Sequence, residues 1–170
     1  MPPLRSTLDY IVQVVLPGAA RLLPPTFSTP DTATLMLAIG LQESEFAARR
    51  QHGGPARSFW QYEVTGGCWD LLHRPAARGH MRDVLALLQY SATLDEVDLH
   101  TAMEHNDILA AVGARLLLRT IPDPVPSLDA HPDVSWDQYM RTWRPGAPRR
   151  AHWDRNLALA RDLVVSRRDG

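Results

Sequence analysis

The chain contains no lysine, since all 18 of its basic residues are arginine. That excludes Schiff-base catalysis and the lysine of a phosphate-cradling loop. It has one cysteine, Cys68, so no intramolecular disulfide forms and the fold does not depend on an oxidising compartment. Long apolar runs are missing too: the stretch at residues 10–15 is broken by Gln13, flanked by Asp9 and Pro17, and too short to span a bilayer. It reads as part of a first helix and not as a signal peptide. No excess of charge of one sign is present, and a formal net charge of −1 gives no electrostatic reason to expect nucleic acid as a partner. Neither an internal repeat nor a coiled-coil heptad is visible.

What the chain does have is an ordinary globular balance, 45% hydrophobic and 22% charged residues over 170 positions, which fits one domain spanning residues 1–170. The arginine bias is most simply a matter of genomic base composition. Ser6 is placed to cap a first helix running towards Leu23, with Pro17 kinking or ending it and Pro24-Pro25 as the stop. Thr29-Pro30-Asp31 then supplies a capping hydroxyl, a proline for the first helical position and an acidic first turn. The helix it opens, residues 32–46, is apolar nearly all round in its first half, the pattern of a buried central helix. Glycine, proline and aromatics dominate residues 49–67, predicting turns and a short hairpin. Helical patterns resume at about residues 69–73, 76–90, 94–104 and 107–119. A proline-rich loop at 121–132 precedes closing helices at 136–143 and 152–165. The predicted fold is mainly α, with a short β-hairpin or loop segment beside the central helix.

Glu43 falls near the end of that helix, on the side shared with Met36, Ile39 and Phe46. Burial there and the negative end of the helix dipole both favour the protonated carboxyl, raising its pKa towards the range of a general acid. Glu45 points elsewhere and suits a solvated carboxylate. Downstream, Phe59-Trp60-Gln61-Tyr62-Glu63 alternates as a strand does, with Phe59, Gln61 and Glu63 on one face and Trp60 and Tyr62 on the other. One aromatic set would pack inward while the other lines a groove suited to stacking on sugar rings; both in the core is the plainer alternative.

Other constellations carry less. His100 and His105 are five residues apart, not four, and with Glu104 they lack a further ligand, so no metal and no cofactor is expected. Cys68 with His73 has no orienting partner for a nucleophile and reads as a buried thiol. The Arg149-Arg150 and Arg167-Arg168 pairs read as solvated helix flanks.

Gln42-Glu43-Ser44, followed some fifteen residues later by Gly54-Pro55-Ala56-Arg57-Ser58-Phe59-Trp60-Gln61, resembles the lytic transglycosylase pattern. In it a Glu-Ser pair ends a central helix and a Gly-Leu-Met-Gln-like segment follows. Residues 106–117, Asn106 to Leu117, are similar to the family helix that packs behind the cleft. The stretch around Trp136-Asp137-Gln138-Tyr139 stands where the family carries Ala-Tyr-Asn, a tripeptide absent here, and with Trp143-Arg144-Pro145-Gly146 it resembles the tail of phage and prophage lysozyme-like proteins. The resemblance spans roughly residues 31–146. It implies a lysozyme-like α+β fold and cleavage of the MurNAc–GlcNAc bond of bacterial peptidoglycan, with Glu43 as catalytic acid and base. It also implies that Gln61 lines the glycan site, with Tyr139 as the cleft tyrosine; Ser44, Phe59, Trp60 and Tyr62 are further candidate substrate-binding residues.

If Glu43 acts alone, the substrate's own C6 hydroxyl completes the reaction as an anhydro sugar. If Glu63 serves as a second carboxylate, water completes it, at a separation of about 5–5.5 Å for retention or about 6.5–9.5 Å for inversion. A virion or assembly protein that keeps the fold and binds other phage particle proteins is the rival from another class, and chitin or chitosan a rival substrate. The expected setting is synthesis in a bacterial cytoplasm and action in the periplasm or cell wall. On this reading Glu43→Gln abolishes lysis and leaves the unfolding midpoint nearly unchanged.

Overall fold

In a computed structural model, residues 4–168 are described, with side chains from Ser6 to Ser166. Arg5 and the Arg167-Arg168 pair lie outside the described side chains. The chain enters as helix α1 (Leu4–Tyr10), passes through a π-helical turn (Ile11–Val15) and continues as α2 (Leu16–Leu22). Ser6 therefore lies inside α1 and does not cap it, because the helical pattern already holds at Leu4. Pro17 neither stops nor breaks the rod. Its ring would collide with the carbonyl four residues back in a regular α-helix, and the wider π turn just before it relieves that conflict. After a short 3₁₀ turn (Pro25–Phe27), α3 (Pro30–Ser44) starts on the expected cap: the Thr29 hydroxyl accepts the Thr32 amide at 3.2 Å and Pro30 takes the first turn.

A second π turn (Val64–Cys68) leads into α4 (Trp69–His73), then α5 (Pro75–Leu87), α6 (Glu96–His105), α7 (Asp107–Leu117), α8 (Pro132–Trp143) and α9 (Arg150–Arg168). Polar caps set three of these starts: the Asp95 carboxylate accepts the amides of Val97 and Asp98, the Asn106 side chain accepts that of Leu109, and the His131 ring accepts that of Asp133. The fold is mainly helical. Among the described residues no strand forms, and the expected hairpin is represented by two isolated antiparallel bridges, Arg50 with Arg57 and Arg57 with Tyr62.

The core is built on two buried helices where the sequence suggests one. Nearly every α3 residue from Thr32 to Leu41 is buried, and so is every residue of 109–118 in and just beyond α7. α9 lies along α3, while α2 and α5 pack on α7. Glycine permits one tight approach: a Cβ on Gly113 would sit 2.5 Å from the Met103 methyl and 3.1 Å from the Tyr62 hydroxyl. No helix among the described residues is long and apolar enough to cross a membrane.

The irregular segment after α3 is pinned by arginines. Arg49 forms a two-pronged bond with the buried Asp107 at 2.7 and 2.6 Å, its guanidinium lying 4.4 Å from the centre of the Phe59 ring. Arg50 and Arg57 share Glu104. Because Arg49 is half-exposed, part of its charge returns to water when the partner is removed. Asp107→Ala should therefore cost about 2 kcal/mol, below the range for a fully buried pair. Urea unfolding checks this, and a midpoint within error of the wild type would show that the pair does not pin the loop.

Candidate active site

The end of α3 fixes the position of Glu43. Glu45 and Phe46 both adopt left-handed backbone, with φ of 53° and 52°, and the Glu45 amide bonds the Leu41 carbonyl at 3.1 Å. Two such residues in succession reverse the chain, so the Phe46 ring folds back over Gly40, where a Cβ would lie 2.1 Å from Cζ. Phe59 and Trp60 meet that ring edge-on at 5.5 and 5.6 Å. The Trp60 indole donates to the Met36 carbonyl at 2.9 Å, and the Ser44 hydroxyl donates to the Phe59 carbonyl at 2.7 Å. The last turn of α3 is thereby clamped to residues 58–62.

Glu43 lines a cleft of about 640 Å³. Gln61, Tyr62, Glu63, Gly66 and Gly67 form part of its wall, facing Tyr139, Trp143, Arg144 and Arg149 from the far end of the chain. The Tyr139 hydroxyl donates to Glu43 Oε1 at 2.7 Å. Its ring is held by stacking on Trp153, with centroids 5.1 Å apart and planes 17° from parallel, and by Trp136 at 5.3 Å. Gln42 joins the same corner: its amide donates to the Arg149 carbonyl at 3.0 Å and its oxygen accepts from Asn156 at 2.9 Å.

Burial pushes the Glu43 carboxyl up to about 7, the Tyr139 hydrogen bond pulls it down, and the charge of Glu63 pushes it up again. Glu43 thus exchanges a proton near neutral pH beside a cleft open to ligand. Burial, then the charge of Glu43 and the bond to it, raise the Tyr139 phenol far above its ordinary value, which keeps Tyr139 a neutral donor.

Of the residues singled out in the sequence, Glu43, Gln61, Tyr62, Glu63 and Tyr139 meet at this cleft. Phe59 and Trp60 do not: both are buried behind α3, so neither is free to stack on a sugar. Alternation fails because Ser58 and Gln61 take left-handed backbone, φ 65° and 52°, and each such residue resets which side the next one faces. Tyr62 is also buried, with its hydroxyl donating to the Ala110 carbonyl at 2.7 Å, and the Gln61 amide donates to the Ser58 carbonyl at 2.6 Å. Ser44 supports the cleft from behind without lining it.

Sequence reasoning gave no cleft role to Gln42, Trp143 or Arg144 and read Arg149 only as a solvated helix flank, yet all four line the cleft. Trp143 donates its indole N–H to the Trp60 carbonyl at 2.9 Å, and Arg144 bonds the buried Asp70 at 2.6 Å. Their signal was an aromatic and a cation directly before the helix-breaking Pro145-Gly146, a composition that places both on a loop edge.

The remaining candidates are engaged elsewhere. His100 Nε2 lies 2.9 Å from the Tyr62 carbonyl while Glu104 pairs with Arg50 and Arg57, and among the described residues no three His, Cys, Asp or Glu side chains converge as a metal set. Burial pushes the Cys68 thiol up to about 12, the reverse of nucleophile activation, and His73 pairs with Glu96. Arg150 is the first residue of α9 and, where the sequence suggests a solvated flank, it is bonded to Asp133 and Asp154. Comparison of the chain with protein-family models, with curated proteins and with solved structures finds no match to any of them.

Proposed function

We propose that this chain cleaves the MurNAc–GlcNAc bond in the glycan strands of bacterial peptidoglycan, in the manner of a lytic transglycosylase, on a lysozyme-like variant in which residues 45–67 take the place of the cleft hairpin. The observation that carries the reading is the Glu43 carboxyl, largely withdrawn from water in a polar cleft and held by Tyr139 at 2.7 Å. Protonated Glu43 gives its proton to the glycosidic oxygen as the bond from C1 breaks. The C6 hydroxyl of the same sugar then attacks C1, and ionised Glu43 takes the proton of that hydroxyl, leaving an anhydro end and a restored acid.

A hydrolase is favoured by a separate observation, since Glu63 lines the same cleft and its charge raises the proton affinity of Glu43. In that case Glu63 serves the water or the sugar cation. Mass spectrometry of digested sacculi separates the two, anhydro ends marking the transglycosylase and reducing ends the hydrolase. Purified protein that clears no peptidoglycan suspension overturns both.

The pH dependence follows from the sign of each influence. The acid must be protonated, so lysis holds below about pH 7 and falls about tenfold per pH unit above it. Tyr139→Phe removes a bond that stabilises the carboxylate and should move this alkaline limb upward. Glu63→Gln removes a repelling charge and should move it downward. Limbs that move in the same direction, or not at all, would remove Glu43 as the titrating group.

A further inference from the structure

Away from the cleft, and sharing no lining residue with it, the molecule contains a second cavity of about 350 Å³. Its wall is apolar, formed largely by Val12, Leu16, Leu23, Met36, Leu37 and Val164 where the N-terminal helices, α3 and α9 meet. Among the described residues one charged side chain lines it, that of Arg115, from the last turn of the buried helix α7.

Arg115 is 8% exposed, and no carboxylate among the described residues pairs with it. Its Nε donates to the Phe27 carbonyl, and its guanidinium lies 5.2 Å from the centre of the Phe27 ring. Nη1 is buried without a hydrogen-bond partner among the described residues. The neighbouring charge has the same sign: the Arg119 guanidinium sits 3.9 Å from the centre of that same ring. Burial and Arg119 together push Arg115 down to about 10, which leaves it cationic at neutral pH. At the cavity's polar edge the Thr29 and Thr32 hydroxyls bond each other at 2.6 Å and supply no counter-charge.

A buried guanidinium with an unused N–H is costly unless an anion meets it, and planar two-oxygen anions match its geometry. Beyond Arg115 and the edge at Ser28, Thr29 and Thr32, the wall offers apolar contact, which suits an unbranched alkyl chain and disfavours a second polar group deep in the space. We infer that this cavity binds a medium-chain alkyl carboxylate, its carboxylate on Arg115 and its chain along the wall between α2 and α3. Arg115 supplies the charge complement and the wall supplies contact that grows with chain length.

Calorimetric titration of the full chain with sodium decanoate, 1-decanol and decyl phosphate tests this. Decanoate should bind one to one, at least about tenfold more tightly than decanol, which has the chain without the charge, and more tightly than decyl phosphate. Arg115→Met should weaken decanoate at least about tenfold and leave decanol unchanged. Ala33→Phe, which fills the cavity from its half-exposed edge, should weaken all three. Should Arg115→Met fail to fold, the decanol comparison and Ala33→Phe still decide. Absence of decanoate binding, equal binding of decanol, or decanoate binding that survives Ala33→Phe or a folded Arg115→Met would overturn the proposal. Tighter binding of decyl phosphate would overturn the carboxylate assignment.

Discussion

Glu43→Gln is expected to abolish lysis and, at pH 8, to make the protein harder to unfold. General acid catalysis contributes about 10²–10⁴-fold to such a reaction, and the amide cannot supply it. The stability gain comes from the same burial. In the native state Glu43 takes up its proton at about 7, against an ordinary 4.5 in the unfolded chain, so the folded protein holds the proton more tightly. Stability from this group is complete below pH 4.5 and is lost as pH rises to 7, after which the buried charge costs about 3 kcal/mol. Glutamine keeps the shape and removes the charge. Its midpoint should exceed the wild type's at pH 8 by about 6–10 °C and match it at pH 4. The sequence alone suggested a midpoint nearly unchanged, which is expected only where Glu43 is protonated. Full lysis by the variant, or a midpoint difference indifferent to pH, would remove Glu43 from its role.

Gly40→Ala should be among the most destabilising single-methyl additions in the molecule. The new Cβ would meet three atoms of the Phe46 ring at 2.1, 2.6 and 2.9 Å. That ring is 1% exposed and hemmed by Phe59 and Trp60, so it has nowhere to turn. Alanine's better helix propensity returns about 1 kcal/mol, and overpacking of this severity outweighs it, for a net loss of about 2–4 kcal/mol. Phe46→Leu leaves space where the ring stood. The double variant should therefore lose less than the sum of the two single losses, a coupling that a double-mutant cycle reads directly. Strict additivity would mean that the methyl is accommodated in another way. Lysis should fall with stability, because Glu43 is carried one turn beyond Gly40 on the same helix.

Where the chain signals its structure in a few adjacent residues, the sequence was readable. Thr29-Pro30-Asp31 marks the start of α3, and residues 69–73 form α4 with the expected ends. Starts set by a residue just outside the apolar pattern were read late: Pro75 opens α5, and Pro132 opens α8 beneath the accepting ring of His131. The α7 pattern was seen as a helix but not as a second core helix. Arg115 interrupts its apolar run, and only packing from several sides reveals that this arginine is buried. Period-2 reasoning at residues 59–63 failed because two left-handed residues carry no strong mark in serine and glutamine. Of the cleft, Glu43 and Glu63 were legible as chemistry. The pairing of Glu43 with Tyr139 was not, because 96 residues separate them and no local rule reaches that far.

The corner where Gln42, Glu43, Tyr139, Trp153 and Asn156 meet has a consequence for how the protein is made. α3 emerges from a ribosome early, but the donor to its carboxyl, the ring that holds that donor and the amide that ties Gln42 all belong to α8 and α9. A nascent chain that has exposed only α1 to α7 carries Glu43 on a helix without the far wall of the cleft. Completion of the cleft thus waits until α8 and α9 have emerged and docked, which closes the site and the core together.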